Sequence, residues 1–377
     1  MNISVLIPRS VIYPTIAFDI VDGLRVGFQF EGATAPHFDV QNIGVAAKEQ
    51  EIYTRCEQAL MNGAEIVVAY INPHMVECVH PLFEANDKIL LVLDSGMHYP
   101  AVKQFSNAYF ISLQGIICCK LTAKHASNLG YKNHAFTCSF FDAGYRAPMA
   151  YSKVIEADNG KINFNHITAL KRSDFTLDPL YNHMQNDPES SILAAFCGDM
   201  AEDFYTNAAK LNLFENYAIF GSPYMIEEVW LDKIPYPGGK LTACTTWAKN
   251  LNNESNKQFL IALPKKGKAN VFSVIACEAG MMIAKAIKSE QTIEQVWSNL
   301  IFDSPRGTVK MNSESHFLEA PIYLCETVKD ENGMCSLTVL HPIENTVEAF
   351  INFENETKEF ASITSNSWFN AYPCLES

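Results

Sequence analysis

Two short segments in the first third of the chain carry polar groups that are suited to binding a small molecule. Tyr70-Ile71-Asn72 lies at the end of the apolar run 66–70, and Asp94-Ser95-Gly96 follows the apolar run 89–93. Their phenol, amide, carboxyl and hydroxyl groups can all form hydrogen bonds. Neither segment pairs a nucleophile with an obvious base, so the chemistry that they indicate is binding.

A strand–helix–strand unit would bring these two segments together. Both apolar runs are short and aliphatic, which is typical of buried strands in a parallel sheet. Between them, apolar residues recur on one helical face, and Asn72 and Pro73 suit the start of that helix. Because such crossovers are right-handed, both strand ends emerge at one edge of the sheet, where open α/β sheets bind ligands.

The alternation of strands and helices continues along the chain. Five strands are predicted within residues 1–115, enough for one doubly wound domain, and a second series of the same kind follows. After these come three helical segments, the strongest over residues 269–288, and late strands at 321–325 and 336–340. The tail from Glu344 shows no clear pattern.

The composition excludes several functional classes. A chain of 377 residues with 48% hydrophobic and 19% charged residues predicts about two globular domains. The net charge of −14 argues against nucleic acid and anionic membranes as partners. No apolar run approaches the roughly 18 residues that a membrane span needs. The densest basic cluster, Lys265-Lys266-Gly267-Lys268, is typical of a solvated loop.

The motifs of common enzymes and metal sites are missing from the sequence. There is no Gly-x-Ser-x-Gly, GxGxxG or GxxxxGK[ST] segment, so neither a catalytic residue nor a nucleotide cofactor is predicted. The ten histidines show no HExxH spacing, and the eleven cysteines form no CxxC pair. No metal or other cofactor is therefore expected.

The cysteines and the start of the sequence bear on the compartment. The first predicted strand, at residues 3–7, has no basic segment before it, so either the protein is cytosolic or a signal peptide was removed. Most cysteines lie in apolar segments and are interpreted as small buried hydrophobes. So many unpaired thiols favour a reducing compartment.

Four segments carry a resemblance to a known family, and their order covers nearly the whole chain to about residue 341. The most specific is Phe302-Asp303-Ser304-Pro305-Arg306-Gly307-Thr308-Val309, with His316 and residues 321–324 downstream. The others are residues 3–10, Asp142-Ala143-Gly144-Tyr145 and residues 269–274. With them the chain resembles the type I periplasmic-binding-protein superfamily, in the branch of the branched-chain amino acid (Leu/Ile/Val-binding-like) and amide/urea-binding proteins.

The resemblance implies an α/β fold of two lobes, each doubly wound in the Rossmann-like or flavodoxin-like manner. A hinge of three chain crossings, near residues 115, 246 and 320, would join the lobes. Lobe 1 would comprise residues 1–115 plus 247–318, and lobe 2 residues 116–246 plus 319–377. The ligand would lie in the cleft between the lobes and be buried by hinge closure.

The resemblance also implies which residues line that cleft. They lie at the strand ends that face each other across it: Tyr13, Tyr70, Asn72, Asp94, Ser95, Gly96, Asp142, Tyr145, Gly198, Asp199, Ser222 and Tyr224. One departure matters. Amino-acid-binding members place an acidic residue just after the last of these strands, whereas this chain has Gly221-Ser222-Pro223, with Glu227 and Glu228 further into the helix expected to follow. Asp199 or Asp142 could replace that charge.

Several of these residues also have a structural interpretation. Asn72 and Asp142 could each cap a helix, Asp94-Ser95-Gly96 could be an ordinary turn, and Tyr13 could belong to the core. Arg306, in the Ser-Pro-Arg-Gly turn, is expected to be structural rather than to contact the ligand.

The function predicted from the resemblance is non-catalytic. The chain would be an extracytoplasmic solute-binding protein that captures a small polar organic ligand, such as an amino acid or an amide, for the permease of an ABC transporter. The alternative is a cytosolic regulatory protein that senses amides or amino acids on the same fold. An enzyme on a doubly wound fold is a third hypothesis. The expected location is the periplasm if a signal peptide was removed, and otherwise the cytoplasm.

Overall fold

Fifteen strands and thirteen helices build the described part of the protein. The structure is a computed structural model that describes residues 1–45, 48–98, 105–140, 146–263 and 269–359. The strands are β1 (Ile3–Ile7), β2 (Phe38–Asn42), β3 (Ile66–Tyr70), β4 (Ile89–Asp94), β5 (Ala108–Ser112), β6 (Asn133–Cys138), β7 (Lys161–Ile167), β8 (Ser191–Ala195), β9 (Ile219–Gly221), β10 (Leu241–Thr245), β11 (Ile301–Ser304), β12 (Gly307–Met311), β13 (Phe317–Glu319), β14 (Tyr323–Lys329) and β15 (Cys335–Pro342).

The helices lie mostly between consecutive parallel strands. They are α1 (Ile16–Phe30), α2 (Glu49–Met61), α3 (Val76–Asn86), α4 (Gly115–Asn128), α5 (Arg146–Ala157), α6 (Asp178–Asn186), α7 (Gly198–Lys210), α8 (Leu213–Asn216), α9 (Glu228–Leu231), α10 (Glu254–Ala262), α11 (Val271–Lys288), α12 (Ile293–Trp297) and α13 (Val347–Glu359).

The strands form two separate sheets, and the predicted two-lobe α/β fold is confirmed. The first sheet has the order β11-β12-β13-β5-β4-β3-β1-β2, and the second has the order β15-β14-β10-β9-β8-β6-β7. Parallel pairing joins β1 to β5 in one sheet and β6 to β10 in the other, while β11–β12 and β14–β15 add antiparallel hairpins. We call the half around the first sheet lobe 1 and the half around the second sheet lobe 2.

The chain passes between the two sheets three times within its described residues. The passages follow β5, β10 and β13, since β6–β10 and β14–β15 belong to the second sheet. This agrees with the crossings expected near residues 115, 246 and 320. The residue limits of the two lobes stay a prediction.

Hydrogen bonds at one buried arginine join all three crossings. Arg306 Nη1 donates to the Ser112 carbonyl oxygen at 2.7 Å and to Thr246 Oγ1 at 3.3 Å, while Tyr323 Oη donates to the Arg306 carbonyl oxygen at 2.7 Å. The guanidinium also forms an ion pair with Glu278 of α11, and both side chains are fully buried. Arg306 is therefore structural, as predicted.

The ends of β3, β4 and β5 lie side by side, as the strand–helix–strand interpretation requires. Tyr70 pairs with Leu93 across β3 and β4, and Asp94 pairs with Ser112 across β4 and β5. The parallel register therefore brings Tyr70 and Asp94, the residues predicted to bind a ligand, to one edge of the first sheet.

Helix α1 packs against α11 through glycines that allow their backbones to approach closely. A Cβ atom on Gly27 would lie 2.1 Å from the Cys277 carbonyl oxygen, and one on Gly23 would lie 2.3 Å from the Ser273 carbonyl oxygen. The strongest helix predicted from the sequence is thus one side of this contact. Its first turn is fixed by a capping box between Asn270 and Ser273.

The C-terminal stretch contains a helix, α13, that the sequence pattern did not indicate. Its apolar residues Phe350 and Phe353 pack against a small cluster that includes Ile117 of α4. Lys120 of α4 also forms an ion pair with Glu356. The packing partners lie more than 200 residues earlier in the chain, so local periodicity alone gave no clear signal. Among the described helices, none is long and apolar enough to cross a membrane.

Candidate functional site

The facing rims of the two lobes contact each other through a hydrogen bond between buried side chains. Tyr13, in the loop after β1, donates its phenol hydrogen to Glu227 Oε2 at 2.6 Å. Only 5% of Tyr13 and 6% of Glu227 are exposed. Because Tyr13 belongs to lobe 1 and Glu227 to lobe 2, this bond closes the cleft at that point. Tyr13 is buried, as its core interpretation required, and it also lies at the rim that the site prediction gave it.

Aromatic rings surround this pair on both sides of the cleft. The Tyr13 ring meets Phe272, at the start of α11, edge to face with 4.9 Å between centroids. Tyr70 meets the same Phe272 ring at 5.6 Å, and Trp230 of lobe 2 lies 6.1 Å from Tyr13. The predicted residues Tyr13 and Tyr70 are thus brought together by an aromatic ring that the sequence analysis did not assign to the site.

Glu227 has an unusual electrostatic environment for a carboxyl group. Burial raises its pKa from an ordinary value of 4.5 to about 7, against the stabilising hydrogen bond from Tyr13. Its second oxygen, Oε1, has no hydrogen-bond partner among the described residues. The indole Nε1 of Trp230, on the following helix, is also buried and lacks a partner there. A buried acceptor and a buried donor are therefore left for another group to satisfy.

A second contact between the lobes uses the end of β4. Tyr224 Oη donates to the carbonyl oxygen of Ser95, and both residues are buried. Asp94 Oδ1 accepts from the backbone N–H of Gly96 and from Ser112 Oγ, so the segment is also an ordinary turn. Burial raises the pKa of Asp94 to about 7. Four predicted site residues, Asp94, Ser95, Gly96 and Tyr224, therefore meet at one contact between the lobes.

Arg146 and His98 form a third contact between the lobes. Arg146 Nη1, at the start of α5, lies 2.7 Å from His98 Nε2, and both residues are buried. Because a guanidinium only donates, Nε2 must accept and His98 must be neutral. The ring of His74 lies 5.9 Å from that of His98. Burial, together with the Arg146 charge, lowers the pKa of His74 to about 4.

A fourth contact is apolar and depends on a glycine. Gly198, at the start of α7 in lobe 2, has a φ of +56° and lies against Ile12 of lobe 1. An added Cβ there would lie 2.3 Å from Ile12 Cγ2. The two rims can approach this closely because Gly198 has no side chain. Gly198 thus lies at the cleft, as predicted.

The next residue, Asp199, forms an ion pair within lobe 2. Its carboxylate forms an ion pair with Arg172 at 2.9 Å, and its side chain is 36% exposed. Asp203 binds the same guanidinium. The charge of Asp199 is therefore already balanced by Arg172 at the edge of lobe 2, which makes Glu227 the better candidate for the acidic group of the cleft.

Of the remaining residues predicted to line the cleft, the structure describes two and leaves two outside its described range. Asn72 is buried and occupies the N-cap position of the 3₁₀ turn Pro73–Met75, as its interpretation as a cap predicts, but its side chain makes no capping hydrogen bond. Ser222 is buried and its Oγ lies 3.5 Å from the Phe196 carbonyl oxygen. Asp142 and Tyr145 lie outside the described residues. The roles of all twelve residues in ligand binding stay predictions.

The position of Glu227 was misread from the sequence because a continuous helix was expected after the last strand of lobe 2. Instead, the 3₁₀ turn Pro223–Ile226 follows β9, and Glu227 ends it in an extended conformation. This turn directs Glu227 back into the cleft. Pro223, two residues after the strand, is the signal in the sequence that favoured a break there.

Comparisons with known proteins agree with this geometry. The model of the family described as "periplasmic binding protein" matches residues 44–332. A search of curated protein sequences gives no significant match.

Solved structures similar to this chain are solute-binding proteins with low sequence identity. An ABC transporter substrate-binding protein from Sphaerobacter thermophilus has a TM-score of 0.78 at 15% identity, covering 91% of this chain and 97% of its own. A solute-binding protein from Rhodopseudomonas palustris HaA2, solved with p-hydroxybenzoic acid, has a TM-score of 0.74 at 18% identity, with coverages of 91% and 96%. The closed Leu-, Ile-, Val-, Thr- and Ala-binding protein of Brucella ovis has a TM-score of 0.71 at 11% identity, with coverages of 91% and 95%. At these identities the likeness establishes the fold.

Proposed function

The chain belongs to the periplasmic-binding-protein family, and from that premise we propose that it is the solute-binding protein of an ABC importer. In this proposal it is not an enzyme. It captures a small polar organic ligand between its lobes and presents the closed complex to the permease of the transporter. Its site of action is the periplasm.

The observation that carries the proposal is the Tyr13–Glu227 hydrogen bond between the lobes. It joins two buried side chains that would both be hydrated if the lobes separated, so opening exposes them and closing buries them. Three further contacts, Tyr224–Ser95, Arg146–His98 and Ile12–Gly198, bridge the same rims. A pair of rims that meet through polar groups suits a protein that opens and closes on a ligand.

The unsatisfied groups beside this bond favour an amino acid, an amide or a related ligand. Glu227 Oε1 is a buried acceptor and Trp230 Nε1 is a buried donor, and neither has a partner in the described part of the chain. An amino or amide N–H group would satisfy the first, and a carbonyl or carboxylate oxygen would satisfy the second. A ligand with both groups is therefore matched to this part of the cleft.

Benzoates are the competing ligand class, since related folds have been solved with p-hydroxybenzoic acid and with benzoate. A benzoate brings a second carboxylate next to Glu227, and two like charges in a buried site repel each other. The aromatic rings of Tyr13, Phe272 and Trp230 would suit its ring. The acidic side chain therefore decides our preference for a ligand that carries an N–H donor.

A thermal-shift screen of amino acids, amides, ureas and small carboxylates tests this proposal. We expect an amine or amide to raise the melting temperature of the wild-type protein and of the remote control Glu290→Gln, but to raise that of Glu227→Gln much less. Equal stabilisation of all three proteins by the same ligand, or a response to benzoates alone, would contradict the proposed ligand class.

A second candidate is a cytosolic sensor of amides or amino acids on the same fold. Apart from Cys138 and Cys197, eight cysteines among the described residues are free, and seven of them are buried. Free thiols persist in reducing compartments, which favours the cytosol. Counting thiols in protein purified from its native host, and locating its export or retention by cell fractionation, separates the two candidates.

A further inference from the structure

A cavity of about 280 Å³ lies beside the hinge, and neither Tyr13 nor Glu227 lines it. Lobe 1 contributes the ends of β4 and β5 and the segment 314–319, which includes β13. Helices α4 and α13, which pack against each other, contribute the opposite wall. We call it the hinge-side cavity. Its size approaches the lower limit of ordinary ligand pockets, which is about 300 Å³, and suits a molecule with one six-membered ring.

The apolar part of this cavity is aromatic. Phe110 of β5 and Phe317 of β13 stack with 4.5 Å between ring centroids and an interplanar angle of 6°. Phe350 and Phe353 of α13, both half-buried, face them from the other wall together with Ile117 of α4. A ring placed between these walls would exchange water contact for contact with aromatic and aliphatic carbon on both sides.

The polar part of the cavity carries an excess of negative charge. Among the described residues that line it, four are acidic, Asp94, Glu314, Glu319 and Glu354, and one, Lys358, is a lysine. Asn312 Nδ2 donates to Glu319 Oε1 at 2.9 Å, so one of these acids is partly satisfied. Asp94 is 2% exposed, and its Oδ2 has no hydrogen-bond partner among the residues described. Aromatic faces and carboxylates together are the environment that binds organic cations.

We propose that the hinge-side cavity is a second small-molecule site, which binds an organic ammonium ion carrying one ring. The ring lies between the Phe110–Phe317 stack and α13, and the ammonium group lies among the acidic side chains. The cavity shares Asp94, Gly96 and His98 with the lobe contacts described above, but Tyr13, Glu227 and Trp230, which carry the ligand proposed for the cleft, do not line it.

The hinge-side cavity adjoins the hinge itself. Gln114, which also lines the cavity, exchanges two hydrogen bonds with the backbone of Ala320, so the first and third crossings meet at its wall.

Isothermal titration of the full chain with 2-phenylethylamine tests the proposal, with 2-phenylethanol as the neutral isostere. We expect the amine to bind and the alcohol to bind at least about tenfold more weakly. Glu354→Gln removes one carboxylate of the cavity without changing its shape, and should weaken amine binding about tenfold. Glu348→Gln, an exposed position on the same helix, should leave amine binding unchanged.

A second pair of variants locates the bound amine. Thr357→Met fills the cavity from α13 and should abolish binding, while Glu227→Gln, which removes the carboxylate of the cleft, should weaken amine binding far less than Glu354→Gln does. Absence of amine binding to the wild-type protein would overturn the proposal. So would binding that Glu227→Gln abolishes and Glu354→Gln and Thr357→Met preserve, since the amine would then occupy the cleft. Either result for the amine leaves the proposed transport function to be tested by its own screen.

Discussion

Tyr13 and Glu227 lie 214 residues apart in the sequence and join the two lobes by a 2.6 Å hydrogen bond between buried groups. Both residues lie outside the strands of their lobes and are positioned by the segments that follow those strands. The loop after β1 brings Tyr13 to one rim, and the 3₁₀ turn after β9 brings Glu227 to the other. The pair therefore exists only when the lobes are closed, which makes it the natural point at which to test closure.

Removing the hydroxyl from this pair should favour the open protein. In Tyr13→Phe the Oε2 atom of Glu227 loses its phenol donor, at a cost of about 1–3 kcal/mol in the closed arrangement. We expect ligand affinity to fall roughly 5- to 100-fold with little change in the fold, and the radius of gyration of the free protein in small-angle scattering to increase. An unchanged affinity would show that the bond does not contribute to closure.

The stability of the protein should depend on pH through Glu227. Its pKa is raised from 4.5 to about 7 in the folded protein, so the folded state binds more protons than the unfolded state between these values. The stabilising contribution is present below pH 4.5 and is lost as the pH rises through 7. Wild type should therefore lose about 2–3 kcal/mol relative to Glu227→Gln between pH 5 and pH 8.

Urea denaturation of both proteins at several pH values measures that difference. Comparison with Glu227→Gln cancels the contributions of His74 and His134, whose lowered pKa values act in the opposite direction below pH 6.5. Asp94 also has a raised pKa, so part of the pH dependence should remain in the variant. Parallel stability curves for the two proteins would mean that Glu227 is not buried in solution.

Breaking the buried ion pair at the hinge should be strongly destabilising. Arg306→Met leaves Glu278 buried and without its guanidinium, and removes the bonds to Ser112 and Thr246. We expect a loss of about 3–5 kcal/mol in the free energy of unfolding. The double variant Arg306→Met/Glu278→Met should recover much of that loss, because no unpaired charge remains. A double variant that is less stable than the single one would contradict this account.

The contact between α1 and α11 should not tolerate a single added methyl group. In Gly27→Ala the new Cβ would lie 2.1 Å from the Cys277 carbonyl oxygen, so the helices must separate. We expect a loss of at least about 1–3 kcal/mol on chemical denaturation. Gln29→Ala, at an exposed position of the same helix, serves as the control and should change stability little. Equal stability of the two variants would exclude the close helix contact.

The sequence was sufficient to predict the elements whose pattern of buried residues lies within a short segment of the chain. The aliphatic runs at β3 and β4, the helix α11 and the structural role of Arg306 were all predicted, because strand length, aliphatic content and turn residues express them directly. The two-lobe fold followed from the resemblance, and the sheet order agrees with it.

The contacts across the cleft could not be predicted in the same way. The sequence predicts Glu227 inside a helix, away from the cleft. The short 3₁₀ turn Pro223–Ile226, which returns Glu227 to the cleft, is hard to distinguish from the first turn of an α-helix in the sequence. The role of α13 depends on Ile117 and Lys120, which are distant in sequence. Asp199 was one of the two acidic residues predicted for the cleft, with Asp142, because nothing in the sequence shows that Arg172 already pairs with Asp199.

The central claim is that a ligand is enclosed when the two rims meet, and a reversible crosslink across them tests it most directly. A Cβ on Gly198 would lie 3.6 Å from Ile12 Cβ, within the range of disulfide-bonded cysteines. The variant Ile12→Cys/Gly198→Cys, loaded with ligand and oxidised, should release that ligand far more slowly than the reduced variant or the single variant Ile12→Cys. Reduction should restore exchange. Rapid exchange from protein that mass spectrometry shows to be crosslinked would contradict the claim.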